Sequence, residues 1–187
     1  MNLWTIGVDP GKEGGMTIFL DDKLTSVHAL PFVGKDLALR DIMVWCERLN
    51  LGHKKVGWDH WHAWIEEAQA FPGKLKPEKC RKCGLVTMRR QAQGVVSTGT
   101  FMRGAGLIEG CFIGMGIDCT RIKAKAWQKI MLTGMRGRAA LKAASIAQAR
   151  QLFPSVTFKR TQRCRTYSDG MTDSALIAVC GSRITVV

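Results

Sequence analysis

One stretch constrains the fold more than any other: Leu3-Trp4-Thr5-Ile6-Gly7-Val8-Asp9-Pro10-Gly11. Apolar and β-branched residues run into a single aspartate and then a Pro-Gly stop. This pattern predicts a buried strand whose last side chain, Asp9, is pushed out at the strand end. A carboxylate in that position is costly to bury unless something neutralises it, and a bound cation does so. If Asp9 holds a metal, the chain has to bring further carboxylates to it from far away in sequence.

The rest of the chain supplies a compatible set of elements. Gly14–Leu20 and Leu24–Leu30 predict two more strands joined by the Asp21-Asp22-Lys23 turn, so the first three strands form an antiparallel meander. Helical spacing follows over 35–49, ended by Gly52. Trp61–Glu66 reads as a fourth strand that again ends in acid. Strict alternation lets only one of Glu66 and Glu67 face the same side as Asp9. A Gly-rich apolar helix over 100–115 has Gly106, Gly110 and Gly114 in register, a spacing that allows close packing on a sheet or another helix. A fifth strand over 117–122 precedes helices over 124–132 and 138–153, the latter with Ala139, Ala140, Ala143, Ile146, Ala147 and Leu152 as its apolar positions. The last helix starts at Asp169 or Met171 and is expected to end at Gly181. At 187 residues this is one domain, 1–187, with a sizeable core. A basic segment at about 74–93 breaks its composition.

Charge narrows the function. Lys and Arg number 28 against 15 Asp and Glu, a net +13, which favours a polyanionic partner, nucleic acid above all. No acid occurs between Asp118 and Asp169, where the basic residues concentrate. Candidate DNA contacts there are Lys123, Lys125, Lys129, Arg136, Arg138, Lys159, Arg160, Arg163 and Arg165. Lys82, Arg89 and Arg90 add to them from the basic segment. No apolar run is long enough to span a bilayer, and no signal-peptide pattern opens the chain. The expectation is a soluble, cytoplasmic protein without membrane or small-molecule partners. The seven scattered cysteines suit a reducing compartment.

The acids carry the chemistry. Asp169 and Asp173 sit four apart at a helix start, on one face. Helix capping alone would explain such a pair. Together with Asp9 and Glu66 they make the four carboxylates that two-metal phosphodiester hydrolysis uses, with Mg²⁺ as the fitting cation and Mn²⁺ as its substitute. Cys80-Arg81-Lys82-Cys83 is half a zinc site. His60 and His62, Cys164, or the same pair from a second subunit could complete it; the alternative is a flexible basic loop with two exposed thiols. His28, His53, His60 and His62 show no catalytic pairing, and Trp4, Trp45 and Trp64 fall in core patterns. Trp58, Trp61 and Phe101 are open between packing and contact with bases.

These motifs, in order, resemble the RuvC-type Holliday-junction resolvases. Ile6-Gly7-Val8-Asp9-Pro10-Gly11 is similar to the family's first motif. Ile65-Glu66 with Ala70-Phe71-Pro72 is similar to the second, particularly in the phage-encoded branch. Lys123-Ala124-Lys125-Ala126-Trp127-Gln128-Lys129 resembles that branch's segment after the fifth strand. Leu152-Phe153-Pro154 resembles its helix ending, and Ser168–Ala178 its closing motif. The resemblance implies a ribonuclease-H-like α/β fold with a central five-stranded mixed sheet flanked by helices. It favours Glu66 over Glu67 as the second-strand acid. It also implies a homodimeric, Mg²⁺-dependent endonuclease acting on four-way DNA junctions, in a bacterial host cell if phage-encoded. Two departures stand out. The closing acids are four apart rather than three, and the segment from Lys74 to about Gln93 is an insertion relative to most relatives.

Overall fold

The structure is a computed structural model that describes residues 3–34, 36–52, 60–67, 74–91 and 95–185. The Ala70-Phe71-Pro72 part of the second motif, Trp58 and His53 lie outside the described residues, as do the side chains of Arg89 and Arg90.

The apolar opening stretch forms β1 (Trp4–Asp9), which pairs antiparallel with β2 (Gly15–Leu20), which in turn pairs with β3 (Lys23–Ala29). The other side of β1 pairs in parallel with β6 (Trp61–Glu66), and β6 with β9 (Asp118–Ile122). The sheet order is β3-β2-β1-β6-β9, the three-antiparallel-then-parallel arrangement expected. Because β1, β6 and β9 run in parallel, their carboxyl ends share one edge, and β1 and β6 both finish there in an acid. Outside the sheet, β4 (Phe32–Val33) and β5 (Asp36–Leu37) pair with each other, as do β7 (Lys74–Lys79) and β8 (Val86–Gln91).

The helices are α1 (Leu39–Gly52), α2 (Val95–Gly114), α3 (Ala124–Met131), α4 (Arg138–Leu152) and α5 (Asp169–Thr185). Two cores lie on the two faces of the sheet, as strand alternation demands. One gathers Trp4, Ile6, Val8 and Trp61 with Ile42 and Cys46 of α1 and Ile108 and Phe112 of α2. The other gathers Trp64, Ile122, Trp127 of α3, Ala149 of α4 and the apolar face of α5. Trp61 belongs to packing: it stacks on Trp4 with ring centroids 4.4 Å apart. No helix among the described residues is long and apolar enough to cross a membrane.

Four elements differ from the sequence expectation. Helix α1 starts at Leu39 rather than 35, because Leu37 is used in the β4–β5 pair. Gly181 does not end α5, which continues to Thr185. Instead it makes room for Trp64, whose ring a Cβ on Gly181 would meet at 2.2 Å. Helix α4 buries Ser145 and Ala149 and half-buries Leu141 and Ala144, while Ala139, Ala140, Ala143 and Ala147 face solvent. An Ala-rich helix has little hydrophobic asymmetry, and a polar residue held by a hydrogen bond can take the inner face. The glycines of α2 do not pack closely on the sheet either. Cβ atoms built at Gly106, Gly110 and Gly114 meet nothing within 4 Å.

Candidate active site

The site is built by laying α5 directly on the β1–β2 hairpin. A Cβ at Gly7 would lie 2.1 Å from the Ser174 carbonyl oxygen and 2.5 Å from the Ala178 nitrogen; one at Gly170 would lie 2.1 Å from the Glu13 carbonyl oxygen. Only glycine permits that approach. It is locked by a Gly14–Gly170 backbone bridge and by a buried hydrogen bond between Thr17 Oγ1 and Ser174 Oγ at 2.7 Å. The N-terminal turn of α5, with Asp169 and Asp173, is thereby set beside the end of β1.

All four predicted carboxylates come into mutual electrostatic range at this edge: Asp9 with Asp169, and Glu66 and Asp173 with Asp9. Each is held by protein groups. Asp9 Oδ1 accepts the Gly11 N–H at 3.0 Å. Glu66 Oε2 accepts the indole N–H of Trp127 at 2.7 Å. Lys142 of α4 forms an ion pair with Asp169, and Ser145, one turn further on, donates to Asp173. Glu67 is separate: its N–H donates to the Ile122 carbonyl, and its charge acts on Arg121. Glu66, not Glu67, therefore faces Asp9.

The electrostatics follow from burial with like charges nearby. Desolvation raises Asp9 to about 6, helped by Asp169 and opposed by the Gly11 N–H. Desolvation raises Glu66 to about 7, with Asp9 adding to it and the Trp127 hydrogen bond opposing. Asp173 is also raised to about 7, by burial first, against the Ser145 hydrogen bond, with Asp9 and Asp169 adding. Asp169 is the exception. Burial pushes it up, but the hydrogen bond and charge of Lys142 and two backbone N–H groups leave it lowered. One site thus holds three acids poised to release protons near neutrality and one held ionised by a lysine.

As the side chains stand, no three His, Cys, Asp or Glu residues among those described close around a single ion. Trp127, Lys142 and Ser145 hold three of the carboxylates in their own directions. The donor set nonetheless fits a hard divalent cation: every donor is a carboxylate oxygen, and among the described residues the positive charge that acts on the acids is that of Lys142. Lys142, Ser145 and the Trp127 hydrogen bond were not assigned from sequence. Lys142 and Ser145 are spaced i, i+3, which puts both on one face of α4, while the apolar pattern of the alanines marks another face.

The basic residues divide by what they touch. Lys123, Lys125 and Lys129 are exposed around α3, whose Trp127 anchors it beside Glu66. Lys125, Lys129 and Arg136 line one open cleft of about 440 Å³ with Gln128, Thr133 and Met135. Arg138, Arg163, Arg165 and, on the β7–β8 turn, Lys82 are also exposed. Others are engaged. Arg121 makes a two-pronged contact with Glu109, Nε to Oε1 at 3.0 Å. Arg160 binds Glu13 at 2.9 Å and the Lys12 carbonyl at 3.0 Å, tying its loop to the turn after Asp9. Lys159 lies over the Tyr167 ring, 5.6 Å from its centroid, as does Arg150 at 4.6 Å.

No family model and no curated protein matches the sequence. Solved structures do. The chain is similar to the Thermus thermophilus RuvC structure, with a TM-score of 0.53 at 13% identity over 98% of this chain and 97% of that one. It is also similar to T. thermophilus RuvC in complex with a Holliday junction substrate, with a TM-score of 0.50 at 11% identity over 98% and 96%. The fold is RuvC-like, of the ribonuclease-H type.

Proposed function

We propose that the chain is a structure-selective DNA endonuclease that resolves four-way junctions by metal-dependent phosphodiester hydrolysis. The observation that carries this is the convergence of Asp9, Glu66, Asp169 and Asp173 at the carboxyl edge of a RuvC-like sheet in a chain of net charge +13. Asp9, Glu66, Asp169 and Asp173 are the residues that would hold Mg²⁺ or Mn²⁺. Bound there, the cation supplies activation of a water and stabilisation of the charge on the leaving oxygen.

The chain's own residues do the rest. Burial keeps Asp9, Glu66 and Asp173 protonated until the pH approaches neutrality, so cation binding is expected to release protons. Trp127 fixes the direction of Glu66, and Ser145 that of Asp173. Lys142 neutralises Asp169 and has to yield it, or share it, when a cation binds. The cationic cleft of Lys125, Lys129 and Arg136 would receive phosphates of a junction arm. A homodimer would place two such sites on one junction. It is supported by the outer face of α2, where Met102 and Ile113 are exposed beside the open glycines 106 and 110.

The test is a labelled mobile four-way junction incubated with and without Mg²⁺. Paired symmetric cuts that need the cation and vanish in Asp9→Asn, with junction binding retained, are expected. Undiminished nicking by Asp9→Asn would overturn the site. Equal cutting of flaps and Y-forks would replace junction resolution by a general branched-DNA nuclease, and tight binding without cleavage under either cation would make the chain a junction-binding protein.

A further inference from the structure

The β7–β8 hairpin takes no part in that site. It is a separate two-stranded unit whose main contacts are between its own strands. Such a hairpin is marginal in water by itself. It also exposes Leu85, Val86 and Met88, at 64%, 59% and 61%. Its charge is strongly basic, and burial of these apolar side chains does not account for its order.

Its turn has a specific shape. The strands pair up to Lys79 and Val86; Cys80 N–H then donates to the Leu85 carbonyl at 2.8 Å, and Gly84 N–H to the Cys80 carbonyl at 2.9 Å. Gly84 takes a φ of +74°, which closes the loop where other residues would be strained. Inside the loop the N–H groups of Lys82 and Cys83 point at the Cys80 sulfur, and the Cys83 sulfur is within hydrogen-bonding contact of it. Both thiols are exposed. Two facing sulfurs at Cys-x-x-Cys spacing, with backbone N–H groups directed at one of them, form a knuckle shaped to grip a thiophilic metal ion.

A tetrahedral zinc needs four ligands, and the knuckle offers two. Among the described residues no third donor joins it. His62 sits in the sheet with its Nε2 at 2.9 Å from Thr120 Oγ1, and Cys164 is 3.2 Å from Thr161 Oγ1. We infer that Cys80 and Cys83 are half of a structural zinc site completed by the same two cysteines of a second copy of the chain. The bound ion would staple two hairpins, allow their exposed apolar strands to cover each other, and place a negatively charged tetrathiolate centre between the cationic Arg81 and Lys82 pairs. The inference rests on the two-copy reading of the protein and is independent of its hydrolytic chemistry.

The experiment uses the full chain, purified reduced and without chelator, with zinc measured by atomic emission and molecular mass by light scattering. One zinc per two chains in a dimer is expected. Cobalt loaded in its place should give the visible bands and near-ultraviolet thiolate charge transfer of an all-sulfur tetrahedral site. Cys80→Ser and Cys83→Ser should each lower zinc at least tenfold while retaining the main melting transition, since the hairpin is outside both cores. Asp9→Asn should keep its zinc. A dimer free of zinc would overturn the site and leave the two-copy reading standing; a monomer would overturn both. One zinc per chain, wild-type zinc in either cysteine variant, or a Cys80–Cys83 disulfide in place of the metal would also overturn it.

Discussion

Trp127 links the packing of α3 to the acid at the end of β6. Its ring is fully buried, and its one polar atom donates to Glu66. Trp127→Phe keeps most of the apolar contact but removes the donor. The carboxyl then loses the hydrogen bond that lowers its pKa, so it holds its proton to higher pH. The pH–rate profile for junction cleavage should shift its acidic limb upward in this variant, at a stability cost of about 1–3 kcal/mol from the smaller ring and the unpaired acid. An unmoved limb would mean that Glu66 does not titrate with activity. The acids themselves predict a pH dependence of folding. Asp9, Glu66 and Asp173 hold their protons to about 6, 7 and 7, above their ordinary values of 3.8, 4.5 and 3.8. Folding therefore takes up protons across that window, and stability falls as pH rises through it, levelling off above. Asp169, with its lowered value, works the other way: its contribution is present above the ordinary carboxylate range and is lost on acidification. Three groups outweigh one. In chelator, the melting temperature should be higher at about pH 5 than at about pH 8, and Mg²⁺ should restore it at the higher pH. Asp9→Asn, which retains an acceptor for Gly11, should stabilise the cation-free protein at about pH 8 by about 1–3 kcal/mol while abolishing cleavage.

Among the elements, α5 decides whether the site exists. Its approach to β1 depends on Gly7, where an added methyl would collide with backbone atoms of Ser174 and Ala178 rather than with a side chain that could swing aside. Gly7→Ala should cost about 3 kcal/mol or more in urea unfolding. Gly106→Ala on α2, with open space around it, should be neutral or stabilise by up to about 1 kcal/mol. The same residue type thus has opposite meanings at the two positions, and sequence alone does not separate them. What sequence did expose was the strand-end position of Asp9 and Glu66 and the shared face of Asp169 and Asp173. These follow from local periodicity, since the strand pattern and the i, i+4 spacing fix direction without tertiary information. Sequence did not expose the site roles of Lys142 and Ser145, nor the contact with Glu13 of Arg160, which it placed among the DNA contacts. Each acts through a residue at least 27 positions away, and nothing in its own neighbourhood marks the partner. The inward face of α4 departs from its apolar pattern for a related reason: burying Ser145 becomes acceptable only once Asp173 and Thr172 lie opposite it.

For the whole molecule the question is how a net +13 is distributed. A uniform excess would only repel itself, whereas a chain built to hold DNA sets its free cations where phosphates run. Arg121, Arg160 and Lys159 are already engaged by Glu109, Glu13 and Tyr167. Lys125, Lys129 and Arg136 instead share one cleft, next to the helix whose Trp127 orients Glu66. If junction arms enter along this path, the three cleft residues make phosphate contacts. Each contact removed should then reduce the slope of log affinity against log salt by about 0.9. Replacing all three with Ala in catalytically silent Asp9→Asn protein should lower the slope by about 3 and weaken binding of junctions of every sequence alike. Arg160→Ala should behave differently. Its guanidinium is spent on the turn that follows Asp9, so the salt slope should change little while cleavage falls through a displaced Asp9. Gel-shift titrations over a salt series, with cleavage rates on the Arg160 single variant, separate the two roles. A full loss of slope in the Arg160 variant with none in the triple variant would place the DNA path on the 159–165 loop instead of the α3–α4 cleft.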